Sequence, residues 1–417
     1  MKTLLPYQLN IIREDRKKTG YWLGTGSGKT LISLSTSRKE TFVICPKTQK
    51  EDKNWERENE ECNLGVDLMT ISKETFRRDW ESLPGCNTLI LDEADTMLGV
   101  TPNVRYVKKQ PVPKTSQIFE AVLGYVRKWN PERIYLATAT ITRTPMCVWA
   151  ASEILGQDWN WYEFRDAFYT KLPIRGREIW VPKKDSATKD RLARAVQSLG
   201  YTGRLEDYND VPEQTFRTMY LELTDKQKQK IKELPLDYPD PLALLQKKHQ
   251  VENGILSGND YEESERFPNA KIEKILDLAL EFPRMILFVR YTKQIEYIKD
   301  ILEKEGYKTF VLNGQTKNRK EIIAEANNSK EYIFIAQSQI SAGWEIPECP
   351  VIVFASMTYS ASDRIQGEGR IQRQSNIKKN LYIDLVVKGG IDEAVYKCIV
   401  DKKDFNERTF LNYDNIQ

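Results

Sequence analysis

The chain has 417 residues, 40% hydrophobic and 29% charged, which is enough for two or three domains with cores of their own. Its 63 basic and 60 acidic residues leave a net charge of +3, so a surface for a polyanion has to come from local arrangement rather than overall charge. No run approaches the roughly 18 apolar residues of a membrane span, and the first residues hold too short an apolar run for a signal peptide, so a cytosolic protein is expected.

The elements alternate over the first 150 or so residues. TFVICP (41–46), TLILDEA (88–94) and RIYLATAT (133–140) are apolar, β-branched runs, suited to parallel strands buried on both faces. Residues 30–38, 48–61 and 115–129 fit crossover helices between them. The pattern is doubly wound α/β, whose chemistry gathers at the strand C-termini. The basic segment 104–115, with two prolines, Lys108 and Lys109, reads as an exposed loop, either a duplex contact or simply solvated.

Residues 156–268 lose this rhythm. Helices are expected at 186–199 and 225–234, and a flexible loop at 253–269, so the region is read as a helical insertion and linker. From 269 the α/β rhythm returns, with strands expected at MILFVR, KTFVLNG, YIFIAQ, VIVFAS and NLYIDLVV. The expected domains are therefore 1–155, 156–268 and 269–417. None of the six cysteines forms a CxxC pair, and His249 is the single histidine. Zinc sites, disulfide frameworks and His-based triads are poor fits, and His249 is expected on a surface or a helix.

Three segments carry the chemistry. Gly24, Thr25, Gly26, Ser27, Gly28, Lys29 and Thr30 form a glycine-rich turn ahead of a helix, which turns backbone N–H groups toward phosphate. Lys29 would reach the β- and γ-phosphates of ATP, and Thr30 would hold Mg²⁺. The strict pattern asks for Gly or Ala where Leu23 stands. Asp92 closes the apolar run LILD, where its carboxylate suits Mg²⁺, and Glu93 suits orienting the attacking water. Arg370 and Arg373 are three apart, on one face if the segment is helical, either as surface residues or as a planar pair for a phosphoryl group.

In this order the segments resemble a superfamily 2 helicase, and more closely the Swi/Snf-type DNA translocases in a compact, phage-like form. LLPYQLNII (4–12) resembles the Q-motif, which implies that Gln8 reads adenine. Residues 42–58 resemble motif Ia, with Trp55 and Glu58 in place, and 68–76 resemble motif Ib. LATATITRTPMCVW (136–149) resembles motif III, with Thr140 where the family has proline. Residues 286–298 resemble motif IV and 335–356 motif V, where Gly343 matches but Ile340 and Ser341 replace a glycine pair. Gln366, Gly369, Arg370 and Arg373 match motif VI, which implies arginine fingers at Arg370 and Arg373. Tyr359, Ser360 and Ala361 replace the family's Trp-Asn-Pro.

The resemblance implies two tandem RecA-like doubly wound parallel-sheet domains with a small helical insertion, with Gln8, Gly343 and Gln366 joining the nucleotide site. It nominates Lys47, Thr70, Ser72, Arg290, Gln315, Thr316 and Ser338 for nucleic acid. Such contacts address the backbone and read little sequence. The activity implied is ATP-driven movement on duplex, branched or single-stranded DNA by a monomer in a bacterial or phage-infected cytoplasm. Replication or recombination partners are not readable. The alternatives are an RNA helicase and a nucleotide-gated clamp without motor activity.

Overall fold

A computed structural model describes residues 4–401, apart from 25, 39, 175–176, 204–213, 259–263, 341–343, 347 and 372–379. The chain divides into two units, Met1–Asn209 and Asp210–Gln417.

The strands of the first unit are β1 (Lys18–Leu23), β2 (Thr41–Cys45), β3 (Leu68–Ser72), β4 (Thr88–Asp92), β5 (Val100–Val107), β6 (Gln110–Thr115), β7 (Arg133–Ala137), β8 (Tyr169–Ile174), β9 (Arg177–Pro182) and β10 (Gly200–Gly203). Six of them make one parallel sheet in the order β10-β1-β7-β4-β2-β3. Every residue of β2, β4 and β7 is buried, because helices cover both faces of the sheet. Those helices are α1 (Pro6–Glu14), α2 (Lys29–Thr36), α3 (Lys47–Glu51), α4 (Asn54–Glu61), α5 (Lys73–Asp79), α6 (Gln117–Trp129), α7 (Pro145–Ile154), α8 (Trp161–Phe168) and α9 (Ser186–Leu199). Helix α6 starts where the Ser116 hydroxyl accepts the Phe119 N–H, and it ends at Asn130 in the left-handed region.

Strand β10 exists by virtue of a close approach. Gly200 faces Gly20 across the ladder, and a Cβ at Gly200 would lie 2.1 Å from the Gly20 carbonyl oxygen.

The second unit repeats the plan with β11 (Gln214–Leu221), β12 (Ile255–Leu256), β13 (Glu265–Arg266), β14 (Arg284–Val289), β15 (Thr309–Leu312), β16 (Tyr332–Gln337), β17 (Val351–Phe354) and β18 (Asn380–Val387). Its six-stranded parallel sheet runs β11-β18-β17-β14-β16-β15. The helices are α10 (Asp225–Asp237), α11 (Pro241–Glu252), α12 (Ala270–Glu281), α13 (Thr292–Lys304), α14 (Arg319–Asn328), α15 (Ala361–Glu368) and α16 (Ile391–Val400). Two doubly wound parallel sheets are the α/β architecture expected. No helix among the described residues is long and apolar enough to cross a membrane.

Three local features differ from the sequence reading. Residues 156–268 hold the expected helices, at Ser186–Leu199 and Asp225–Asp237, but strands as well. They supply the β8–β9 hairpin, give β10 to the first sheet and β11 to the second, and hold a short β12–β13 pair where a loop was expected. Segment 104–115 lies within a β-hairpin, β5–β6, whose prolines are tolerated because no third strand pairs with it. His249 lies in a helix, as expected, but is wholly buried rather than on the surface.

Candidate functional site

The phosphate-loop candidates join β1 to α2 in the first unit. Gly26 and Gly28 have φ of 75° and 77°, a conformation that glycine adopts without steric cost. The loop is braced from behind by α1. The Tyr7 hydroxyl and the Gln8 Nε2 both donate to the Ser27 carbonyl, at 2.5 and 3.0 Å, and Gln8 Oε1 accepts the Leu5 N–H at 2.9 Å. Gln8, expected to read adenine, is therefore buried with its amide engaged by the loop and its own helix start. A Cβ at Gly28 would stand 2.4 Å from Gln8 Nε2. Lys29 folds its ammonium onto the Leu23 and Gly24 carbonyls at 2.9 and 3.0 Å. Thr30 lies half-buried in the first turn of α2, and Thr25 lies outside the described residues.

Asp92 ends β4, buried, and each of its oxygens is held. The Trp55 indole N–H donates to Oδ2 at 3.1 Å, and the Glu93 N–H donates to Oδ1 at 3.1 Å. Burial raises its pKa, against the pull of the Trp55 hydrogen bond and the nearby Lys29 charge. Glu93 turns the chain at φ 50°. Asp95 accepts the Thr138 hydroxyl at 2.6 Å, which ties the acidic segment to the start of the motif III-like stretch. Burial raises the Asp95 pKa too, opposed by hydrogen bonds from Thr138 and Thr140.

These residues fit a magnesium nucleotide. Two left-handed glycines shape a turn at a helix N-terminus, a cation lies over that turn, and a buried carboxylate lies within its electrostatic reach. Trp55 is the member whose role the sequence reading missed; it was noted only as a motif match.

Of the nucleic-acid candidates in the first unit, Lys47 is exposed at the start of α3, 3.6 Å from Glu51. Thr70 donates to Glu56 at 2.5 Å. Ser72 is buried and caps α5 by accepting the Thr75 N–H at 3.2 Å, a structural duty.

In the second unit, Arg290 lies flat over the Tyr359 ring at 3.6 Å, while its backbone N–H donates to Ser356 Oγ at 2.7 Å. Thr316 closes a turn on Asn313, and the exposed Gln315 donates its backbone N–H to Asn313 Oδ1 at 3.0 Å. Ser338 is buried. Behind Arg290 lies a network that the sequence did not announce. His249 Nδ1 contacts the Tyr291 and Tyr359 hydroxyls at 2.7 and 3.0 Å, and its Nε2 meets Asp392 at 3.0 Å. Asp392 also holds the buried Lys271 ammonium at 2.7 Å. Despite the cost of burial, Lys271 and His249 keep the Asp392 carboxyl well below the usual range.

Arg370 is only 8% exposed. Its Nε donates to the Gln366 carbonyl at 2.7 Å and its Nη1 to the Trp344 carbonyl at 2.5 Å. These bonds hold Arg370, expected as a finger, inside its own unit, and half-buried Gln366 takes part through its backbone. Arg373 and Gly343 lie outside the described residues.

The helicase conserved C-terminal domain family matches residues 270–375. A chromatin-remodeling ATPase INO80 from Mycosarcoma maydis is 22% identical over 143 residues, covering 33% of this chain and 8% of that protein. The chain therefore matches only a small part of that relative's length. A solved structure of the Sulfolobus solfataricus SWI2/SNF2 ATPase core in complex with dsDNA is 18% identical, covering 96% of this chain and 91% of the other with a TM-score of 0.41. The second unit thus carries a match to a helicase C-terminal domain, and the first places the glycine-rich turn and the DEAD segment on its parallel sheet.

Proposed function

We propose that the protein is a DNA-stimulated ATPase that uses ATP and Mg²⁺ to move on DNA. The observation that supports this best is the Lys29 ammonium folded over the glycine-rich turn, its charge felt by the buried Asp92 at the end of β4, in a chain whose second unit matches a helicase domain. The resemblance of residues 42–58 and 136–149 to segments of the Swi/Snf-type DNA translocases supports DNA as the polymer.

Bound ATP with Mg²⁺ supplies the phosphoryl group and the charge that offsets its departure. The chain's own part is positional. The loop N–H groups and Lys29 bind phosphate, and Thr30 and Asp92 hold the ion. Glu93 orients the attacking water from a turn fixed by its left-handed φ. Arg373 is assigned to the charge that develops in turnover, and Arg370 is held by the Gln366 and Trp344 carbonyls. Lys47, Thr70, Arg290, Gln315 and Thr316 hold the DNA backbone, so binding depends on salt more than on sequence.

The test is steady-state ATPase activity of the full chain with duplex DNA, single-stranded DNA and RNA, beside Lys29→Ala and Glu93→Gln. The expected result is stimulation by DNA that both variants abolish. Stimulation by RNA alone favours the RNA helicase, and wild-type turnover no faster than the variants favours the clamp.

A further inference from the structure

The β5–β6 hairpin leaves the nucleotide site directly: Val100 opens it five residues after Asp95. Its base is rigid. Val100 is buried in the core, the Ser116 N–H donates to the Gly99 carbonyl at 2.7 Å, and Val104 packs against the first unit's core. Midway, the Tyr162 hydroxyl on α8 donates to the Pro111 carbonyl at 3.2 Å.

Beyond that support the hairpin runs bare. Residues 105–111 are all exposed, and the Tyr106 ring is 73% exposed. No acidic residue occurs between Asp95 and Glu120, whereas Arg105, Lys108, Lys109 and Lys114 do. Glu120 neutralises Arg105 through an ion pair. The three lysines have no ion-pair partner among the described residues.

The turn itself is strained. Val107 pairs with Gln110, so Lys108 and Lys109 are the two central residues, with φ of 47° and 65°. A two-residue turn with both centres at positive φ favours Asn-Gly, and a long side chain at either site is held there against its preference. Strain of this kind gathers where a side chain has work to do. An uncovered aromatic ring beside unpaired cations is the chemistry that stacks on a base and neutralises the flanking phosphates.

We infer that the tip of this hairpin, Tyr106 with Lys108 and Lys109, is a second nucleic-acid contact, which stacks on an unpaired base where a duplex opens. The inference rests on the proposed DNA-dependent activity and adds to it a preference for junctions over plain duplex.

The test is fluorescence anisotropy of the full-length protein with labelled blunt duplex, forked duplex and single-stranded DNA across a salt series. Tyr106→Ala is expected to weaken forked and single-stranded binding about tenfold and to leave blunt duplex unchanged. A Lys108→Asn/Lys109→Gly double variant suits the turn better, so it removes the cations without unfolding the hairpin. It is expected to lower the salt slope by about two on forked DNA. Unchanged affinity and salt slope in both variants, with wild type binding DNA, overturns the hairpin contact and leaves the proposed ATPase standing. Loss of DNA-stimulated ATPase in wild type is the separate failure of that broader reading.

Discussion

The Trp55 indole N–H and Asp92 Oδ2 are 3.1 Å apart, a bond across 37 residues that anchors the carboxylate assigned to the metal. Burial raises the Asp92 pKa, and this bond is the leading influence holding it down. Protonated Asp92 cannot bind a metal, so activity falls as pH drops through that pKa. Trp55→Phe removes the donor, so the pKa rises further and the decline begins at a higher pH. A pH–rate profile at saturating ATP measures it, and an unmoved acid limb refutes the assignment. A hydrogen bond to a charged group contributes about 1.5–3 kcal/mol, enough for the displacement of the acid limb to be resolved.

Gly28→Ala tests the brace behind the phosphate loop. The new Cβ would meet Gln8 Nε2 at 2.4 Å, with the backbone at φ 77°. Left-handed backbone alone costs a non-glycine residue roughly 1–2 kcal/mol. ATP-analogue binding is expected to weaken at least about tenfold, with a lower Tm. A doubly substituted Gly28→Ala/Gln8→Ala protein, relieved of the clash, should bind better than Gly28→Ala alone.

Arg370→Ala should lose stability as well as turnover. It removes the guanidinium's two hydrogen bonds to the Gln366 and Trp344 carbonyls, at about 1.5–3 kcal/mol for each bond from a charged group. Denaturant titration of the full chain measures that loss. Lost turnover with unaltered stability would return Arg370 to the role of a finger alone.

Glu252 gives the second unit a pH-sensitive contribution. Burial, with the Asp392 charge, pushes its pKa up to about 7. Its carboxylate meanwhile accepts the Ile391 and Asp392 N–H groups at 2.9 and 2.8 Å. Folded Glu252 keeps its proton where the unfolded chain, near the ordinary glutamate value of 4.5, has released it. Its contribution is therefore complete below pH ~4.5 and lost as pH rises through ~7, by at most about 3 kcal/mol. His249 acts in the opposite sense, since burial lowers its pKa and stability falls as acid forces a charge onto it. The stability of wild type minus that of Glu252→Gln isolates the first effect. That difference should decline between pH 5 and 7.

Lys108→Asn/Lys109→Gly should slow hydrogen exchange at the paired Val107 and Gln110 amides, because the replacements accept positive φ. About 1 kcal/mol of relieved strain corresponds to roughly fivefold slower exchange.

The strands at 41–45, 88–92 and 133–137 were readable because a strand buried on both faces is a continuous apolar run. Strand β10 was not, since Gly200-Tyr-Thr-Gly203 carries no such signal and is a strand only because Gly20 admits it. The β5–β6 hairpin was masked by Pro111 and Pro113, which mark loops unless a strand lacks a neighbour on that side. At the site, the glycine-rich turn ahead of α2 and Asp92 at the end of β4 follow local patterns, so their places in the fold were legible. The Trp55 bond, the Arg290–Tyr359 stack and the occupation of Arg370 join distant residues, and no local pattern encodes them. The burial of His249 was hidden for the same reason, as Asp392, its partner, comes 143 residues later.

That imidazole has a practical consequence. An ionised carboxylate only accepts, so Nε2–H donates to Asp392, and Nδ1 is left to accept from the tyrosine hydroxyls. Both ring nitrogens of the single histidine are thus engaged and shielded from solvent. A histidine-directed acylating reagent should pass over the native chain and label it at one position once the second unit opens. The protein carries its own single-site gauge of that unit's unfolding.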